Sequence, residues 1–127
     1  MHFMDKKFYN LQVWHKSRQL ILTTYSLLEN FPEYEKYDMC SQLRRSVNSI
    51  CANIAEGTGR RTLKDFVNFL YIAKGSLEET KSFFIIANDL RYIDNENYAL
   101  LKEQSDEIGR MLNGLIKSLQ NKMQIIY

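Results

Sequence analysis

Breakers of regular structure are scarce in this chain, with one proline and five glycines in 127 residues. That shortage excludes a fold of many short strands and turns, and favours long helices. Histidine is limited to His2 and His15. There is no Cys/His spacing for zinc, no His-Glu-x-x-His, no glycine-rich phosphate loop and no nucleophile elbow. Carboxylate pairs such as Glu78-Glu79 and Asp106-Glu107 are adjacent in sequence, so they diverge on a helix. These absences speak against an enzyme, and no cofactor or metal is expected. No apolar run approaches the ~20 residues that cross a bilayer. The longest, Phe83 to Ala87, is core-sized. The segment Met1 to Asn10 has lysines but no apolar h-region, so no signal peptide is expected.

A strong charge of either sign is also missing. The net charge is +2, from 17 basic and 15 acidic residues, too balanced to indicate nucleic-acid binding from composition alone. Cys40 and Cys51 are the only cysteines. On one helix they would lie roughly 16 Å apart, beyond disulfide reach. Two unpaired thiols suit a reducing cytoplasm, and both read as packing residues.

What is present is ordinary globular chemistry: 45% hydrophobic and 25% charged residues, enough for one domain with a real core. Apolar periodicity predicts four helices, at about 11–30, 38–56, 62–90 and 94–122, after a short arm at about 1–10. Leu11, Trp14, Leu20, Leu22, Tyr25 and Leu28 give the first a broad apolar face. Pro32 ends it. Asp38 is the expected N-cap of the second, and Gly57 its C′ residue. Thr62, with Asp65 three residues on, resembles a capping box opening the third. Its core stripe is Leu63, Phe66, Val67, Leu70, Ala73, Leu77, Phe84 and Ala87, and Phe69, Ile72, Phe83 and Ile86 extend the apolar surface to a second side. Asp94 or Asn95 caps the fourth helix. Gly75, Gly109 and Gly114 fall inside helices, where a close helix–helix approach would explain them. Short loops make such helices antiparallel neighbours, so the expected fold class is all-α, an up-down four-helix bundle.

Two constellations stand out. Gln42, Arg45, Ser49, Asn53 and Glu56 recur at steps of three, four, four and three, a polar stripe about 100° from the apolar stripe Leu43, Val47, Ile50, Ile54. With Glu79 they are expected to form a buried polar network that fixes register or subunit contacts. The second is a basic set, Arg44, Arg60, Arg61 and Lys64, around a tight turn. It could meet phosphates with help from helix N–H groups. Acidic residues cluster elsewhere, around Glu29 to Asp38 and Asp94 to Glu107. Trp14 and Phe66, Phe69, Phe83 and Phe84 sit at helical spacing, which suits packing over base stacking. Tyr34 and Tyr37 are expected to be exposed.

The segments Leu11-Gln-Val-Trp14, Phe31-Pro32, Gln42-Leu-Arg-Arg-Ser-Val-Asn-Ser-Ile50, Ala52-Asn-Ile-Ala-Glu-Gly-Thr-Gly-Arg60 and Phe69-Leu-Tyr-Ile-Ala-Lys-Gly-Ser-Leu-Glu-Glu79 resemble bacterial four-helix-bundle proteins encoded in intervening sequences of large-subunit ribosomal RNA genes. The resemblance runs weakly on into Gly109 to Asn113. One departure is Cys51, which stands where that pattern has proline, so the second helix is expected to be straighter here. The resemblance implies a homopentameric ring. It also implies a distant similarity to accessory proteins of diversity-generating retroelements, basic pentamers that bind nucleic acid and a reverse transcriptase. It does not make the chain a ribosomal subunit. Two readings follow: a non-enzymatic assembly protein that contacts RNA or DNA through the basic turn, or a scaffold that binds only protein.

Overall fold

The computed structural model describes residues 7–126. His2 and most of the expected arm lie outside the described residues. Four helices carry the fold: α1 (Gln12–Leu28), α2 (Met39–Thr58), α3 (Leu63–Asp89) and α4 (Asn95–Ile126). Short 3₁₀ turns cover Phe8–Asn10 and Glu33–Glu35, and no strand occurs among the described residues.

Each helix forms for the reason its periodicity gave. Leu43, Val47, Ile50 and Ile54 on α2 are completely buried. All eight residues of the expected α3 stripe are buried, with Thr80 filling the gap between Leu77 and Phe84. On α4, Leu101, Ile108, Leu112, Ile116 and Leu119 complete one continuous core. Burying a Leu, Ile or Phe side chain is worth about 1.5–3 kcal/mol, so this stripe outweighs the weak helix propensities of the Ile and Val it contains.

Cross-helix contacts set the register. Ser46 meets Thr80 and Ser49 meets Ser76, so partner numbers fall along α3 as they rise along α2, and Arg45 beside Ser46 meets Glu79 beside Thr80. The same holds for Lys81 with Asp106 and Tyr71 with Gln120 between α3 and α4. Ser46 and Thr80, 2.9 Å apart at their hydroxyls, are a fully buried polar pair between α2 and α3 that periodicity alone did not reveal.

Several expectations need correction. Leu22 and Tyr25 are exposed, and buried Val13, Ser17 and Thr24 take their place in the α1 core face. Ser17 and Thr24 satisfy their hydroxyls on the Val13 and Leu20 carbonyls, so burial leaves no orphaned donor. Asp38 makes no side-chain cap; the Glu35 carboxylate reaches the Met39 N–H instead, at 3.4 Å. Gly75 and Gly114 would meet nothing within 4 Å if given a Cβ, so neither marks a close approach within the chain. At Gly109 an added Cβ would make only an ordinary contact with Leu77. α4 continues to Ile126, past the expected end. α2 runs unbroken through Cys51, whose thiol points at the Trp14 carbonyl of α1.

The α3–α4 turn is closed by a left-handed residue that is not glycine. Arg91 has φ 66°. Its N–H donates to the Asn88 carbonyl and the Tyr92 N–H to that of Ala87, the two bonds of a Schellman ending. The Asn88 side-chain amide donates to the Ile93 carbonyl and to Asn95, and Asp94 caps α4 through the Asn97 N–H at 2.8 Å.

Candidate nucleic-acid interface

The basic turn is built from Gly57 outward. Gly57 is buried inside the last turn of α2, not beyond it as a C′ residue. A Cβ there would lie 2.9 Å from Phe66 Cδ1 and 3.0 Å from Phe69 Cβ. The glycine therefore exists to let the first turns of α3 close onto α2. Its φ is negative, so no left-handed conformation is involved. The Thr62 hydroxyl then accepts from the Asp65 N–H at 3.1 Å and opens α3, as the capping pattern predicted.

This closure puts Phe69 beneath Arg60. The guanidinium carbon of Arg60 lies 4.4 Å from the Phe69 ring centroid. One edge of the same guanidinium donates to Glu56 at 3.1 Å. Arg60 is thus held in place by an aromatic face and a carboxylate. Arg61 and Lys64 are exposed and form no ion pair with another described residue.

Arg44 does not join them. It stands fourteen residues before the end of α2 (58 less 44), about 21 Å along the axis. It belongs to the α1-facing side of the helix, where its carbonyl accepts from Asn48 and Asn48 in turn donates to Tyr25. The basic set therefore divides into Arg60, Arg61 and Lys64 at the turn, with Arg44 remote.

The polar stripe divides as well. Arg45 donates to Glu79 at 2.5 Å and to Gln42 at 2.9 Å. Ser49 shares a hydrogen bond with Ser76 at 2.8 Å, and Asn53 donates to Ser49. Glu56 belongs with Arg60 and not with Arg45. The expected buried network is corrected in one respect: the Arg45 and Glu79 side chains remain 58% and 39% exposed in the chain. In water such a pair contributes about 0–1 kcal/mol, well short of what a buried one costs to break. The stripe borders an apolar band on α3, where Ile72, Ile86 and Leu90 are exposed and Phe83 is half-buried.

The opposite end of the bundle has the opposite charge. Tyr92, in the α3–α4 turn, donates to Glu35 at 2.9 Å and lies 3.2 Å from the exposed Tyr34, so the α1–α2 loop and this turn share one end. The Tyr34 hydrogen bond, burial and the Glu35 carboxylate all raise the Tyr92 pKa. Glu29, Glu33, Glu35, Asp38, Asp89, Asp94 and Glu96 gather there against Lys36 and Arg91.

Elsewhere the chemistry is quiet. Burial pushes the Cys51 thiol up to about 11, against a small opposing effect of Arg18, and raises Cys40 as well. Among the described residues no group of His, Cys, Asp and Glu could hold a metal, and no helix is long and apolar enough to cross a membrane.

The model of the 23S rRNA-intervening sequence protein family matches residues 9–114. The chain belongs to this family. A crystal structure from Bacteroides thetaiotaomicron VPI-5482, described as a protein of unknown function from the S23 ribosomal protein family, is similar at 31% identity and a TM-score of 0.77. The alignment covers 83% of this chain and 98% of that one. No curated protein matches. The family assignment from sequence motifs therefore holds, as does the all-α, four-helix architecture. The family match spans the Asn53 to Gly57 and Gly75 to Glu79 segments, whose contacts at Phe66, Phe69, Ser49 and Arg45 give those motifs a packing role.

Proposed function

We propose that this intervening-sequence family member is a non-enzymatic, self-assembling helical bundle that contacts nucleic acid through the α2–α3 turn. The observation that carries the reading is the division of charge along the bundle. Carboxylates collect at the end made by the α1–α2 loop and α3–α4 turn, while Arg61 and Lys64 at the other form no ion pair with another described residue. The 27 residues of α3 separate these ends by about 40 Å, several times the ~8–10 Å Debye length in physiological salt. The acidic end therefore does not cancel the basic one, and the net charge of +2 understates what a polyanion meets at the turn.

Assembly supplies the rest. The contact register supports reading the four helices as an antiparallel up-down bundle. Its α3 band of Ile72, Phe83, Ile86 and Leu90, beside the polar stripe of α2, suits a second copy: apolar area drives association and the Arg45–Glu79 pair sets register. A ring needs two different complementary faces per subunit, and the resemblance implies five subunits. Around a ring, one modest basic turn becomes several, and avidity can exceed a single contact by ~10²–10⁴. The setting consistent with two unpaired thiols is cytoplasmic.

The test is binding of structured RNA and duplex DNA across a salt series, with the mass of the assembly followed in each sample. Affinity should fall steeply with salt, and Arg60→Ala/Arg61→Ala should abolish it while leaving the mass at about five 15.1-kDa chains. A correctly assembled protein that binds neither ligand at low salt would leave the protein-scaffold reading in its place.

A further inference from the structure

The α2–α3 turn contains two kinds of cation. Arg61 and Lys64 are exposed and form no ion pair with another described residue, which leaves them open to phosphate oxygens. Arg60 is different. Its charge is opposed by Glu56 at 3.1 Å, whereas theirs is not opposed by another described residue. Its guanidinium carbon lies over the Phe69 ring, 4.4 Å from the centroid, and its Nη2 donates to Glu56. The side chain is nonetheless 42% exposed. A guanidinium contacted by a ring and a carboxylate, and still open to solvent, offers a planar cation to a ligand. Arg planes of this kind accept unstacked bases, whereas a duplex keeps its bases covered.

We infer that Arg60 is a stacking platform for an unpaired nucleobase, and that the turn therefore selects single-stranded or looped nucleic acid over duplex. Arg61 and Lys64 hold the flanking phosphates. The backing is structural: Gly57 admits Phe66 and Phe69 to the end of α2, and Phe69 supports the guanidinium from below. Lysine at position 60 would keep the charge and the reach to Glu56 but remove the plane. This inference rests on the proposed nucleic-acid reading and adds the class of ligand.

Fluorescence anisotropy separates the two. The probes are a mixed-sequence 12-nucleotide RNA, the matching DNA strand, the corresponding duplexes and an abasic version of the DNA strand, all at one low salt concentration. Wild type is expected to prefer both single strands over the duplexes by at least about tenfold, and to lose that preference on the abasic strand. Arg60→Lys should cost single-strand affinity about tenfold and leave duplex affinity and the salt slope unchanged, with an unaltered melting temperature. Arg61→Ala should weaken all probes alike and flatten the salt slope by about one unit. Equal binding of duplex and single strands, or a silent Arg60→Lys, overturns the stacking platform and leaves the parent reading standing. No binding to any probe by the folded protein overturns both. A preference for RNA over the DNA strand would identify the 2′-hydroxyl as a further contact and leave the platform intact.

Discussion

The two ends of the bundle solve the same problem, reversing the chain between long helices, by different means. At the α2–α3 end the closure is steric: Gly57 makes room, Phe66 and Phe69 fill it, and a threonine caps the next helix. At the α3–α4 end the closure is polar: Arg91 adopts φ 66°, and Asn88, Asp94 and Asn95 hydrogen-bond around it. The polar end uses its donors and acceptors internally. The steric end closes without using Arg61 or Lys64, which form no ion pair with another described residue. A turn held by packing can spend its charges on a partner, which is the physical reason to place the contact there.

Substitutions at both ends test that contrast. The largest effect is expected at Gly57. Gly57→Val would force side-chain carbons into Phe66 and Phe69, and overpacking of this kind costs about 1–3 kcal/mol; urea denaturation should show the loss, and an unchanged midpoint would refute the steric account. Next comes Asn88→Ala, which removes two hydrogen bonds of the polar end. A net cost of about 1–2 kcal/mol is expected, without any change in nucleic-acid affinity, and a fall in affinity would mean that the ends are not independent. Arg91→Gly should move the other way. A non-glycine residue in the left-handed region costs about 1–2 kcal/mol, partly offset by the greater freedom of glycine when unfolded, so a gain of about 0.5–1 kcal/mol is expected. A loss would show that the arginine side chain contributes more than its strain removes.

The smallest effect should come from mid-span, away from both ends. Asp106 accepts from Lys102 at 2.8 Å and pairs with Lys81 at 3.2 Å, and these two bonds lower its pKa. A carboxylate whose folded pKa is depressed contributes stability above its unfolded pKa and loses it as pH falls through the folded value. Melting temperature measured from pH 6 down to about pH 2 should therefore decline less steeply in Asp106→Asn than in wild type below about pH 4. Parallel curves would remove Asp106 from the account.

Much of this was legible in the sequence. With one proline and unbroken 3–4 spacing, the four helices and nearly the whole α3 core could be read directly, as could the Thr62 cap. The family resemblance was legible in the same segments. Several of the features missed share a cause: they depended on what the neighbouring helix does. Gly57 looked like a helix terminator because nothing in its own segment announces Phe66 and Phe69 across the turn. Arg91 gave no sign of positive φ, since the usual signal is glycine. Ser46 and Thr80 are each unremarkable until paired. Arg44 is the exception, because the rise of 1.5 Å per residue already places it some 20 Å from Arg60. The polar stripe was recognised as a stripe, but its exposure depends on which face a second copy covers.

The two buried thiols have a practical consequence. Cys51 is pushed to about 11 and Cys40 is raised too, so near neutral pH both remain protonated and shielded, and thiolate is the reactive form. The native chain is therefore a silent background for maleimide chemistry. A single cysteine introduced at position 61 or 64 could carry a dye or spin label selectively, with no need to replace either natural one, and would report directly on what approaches the turn.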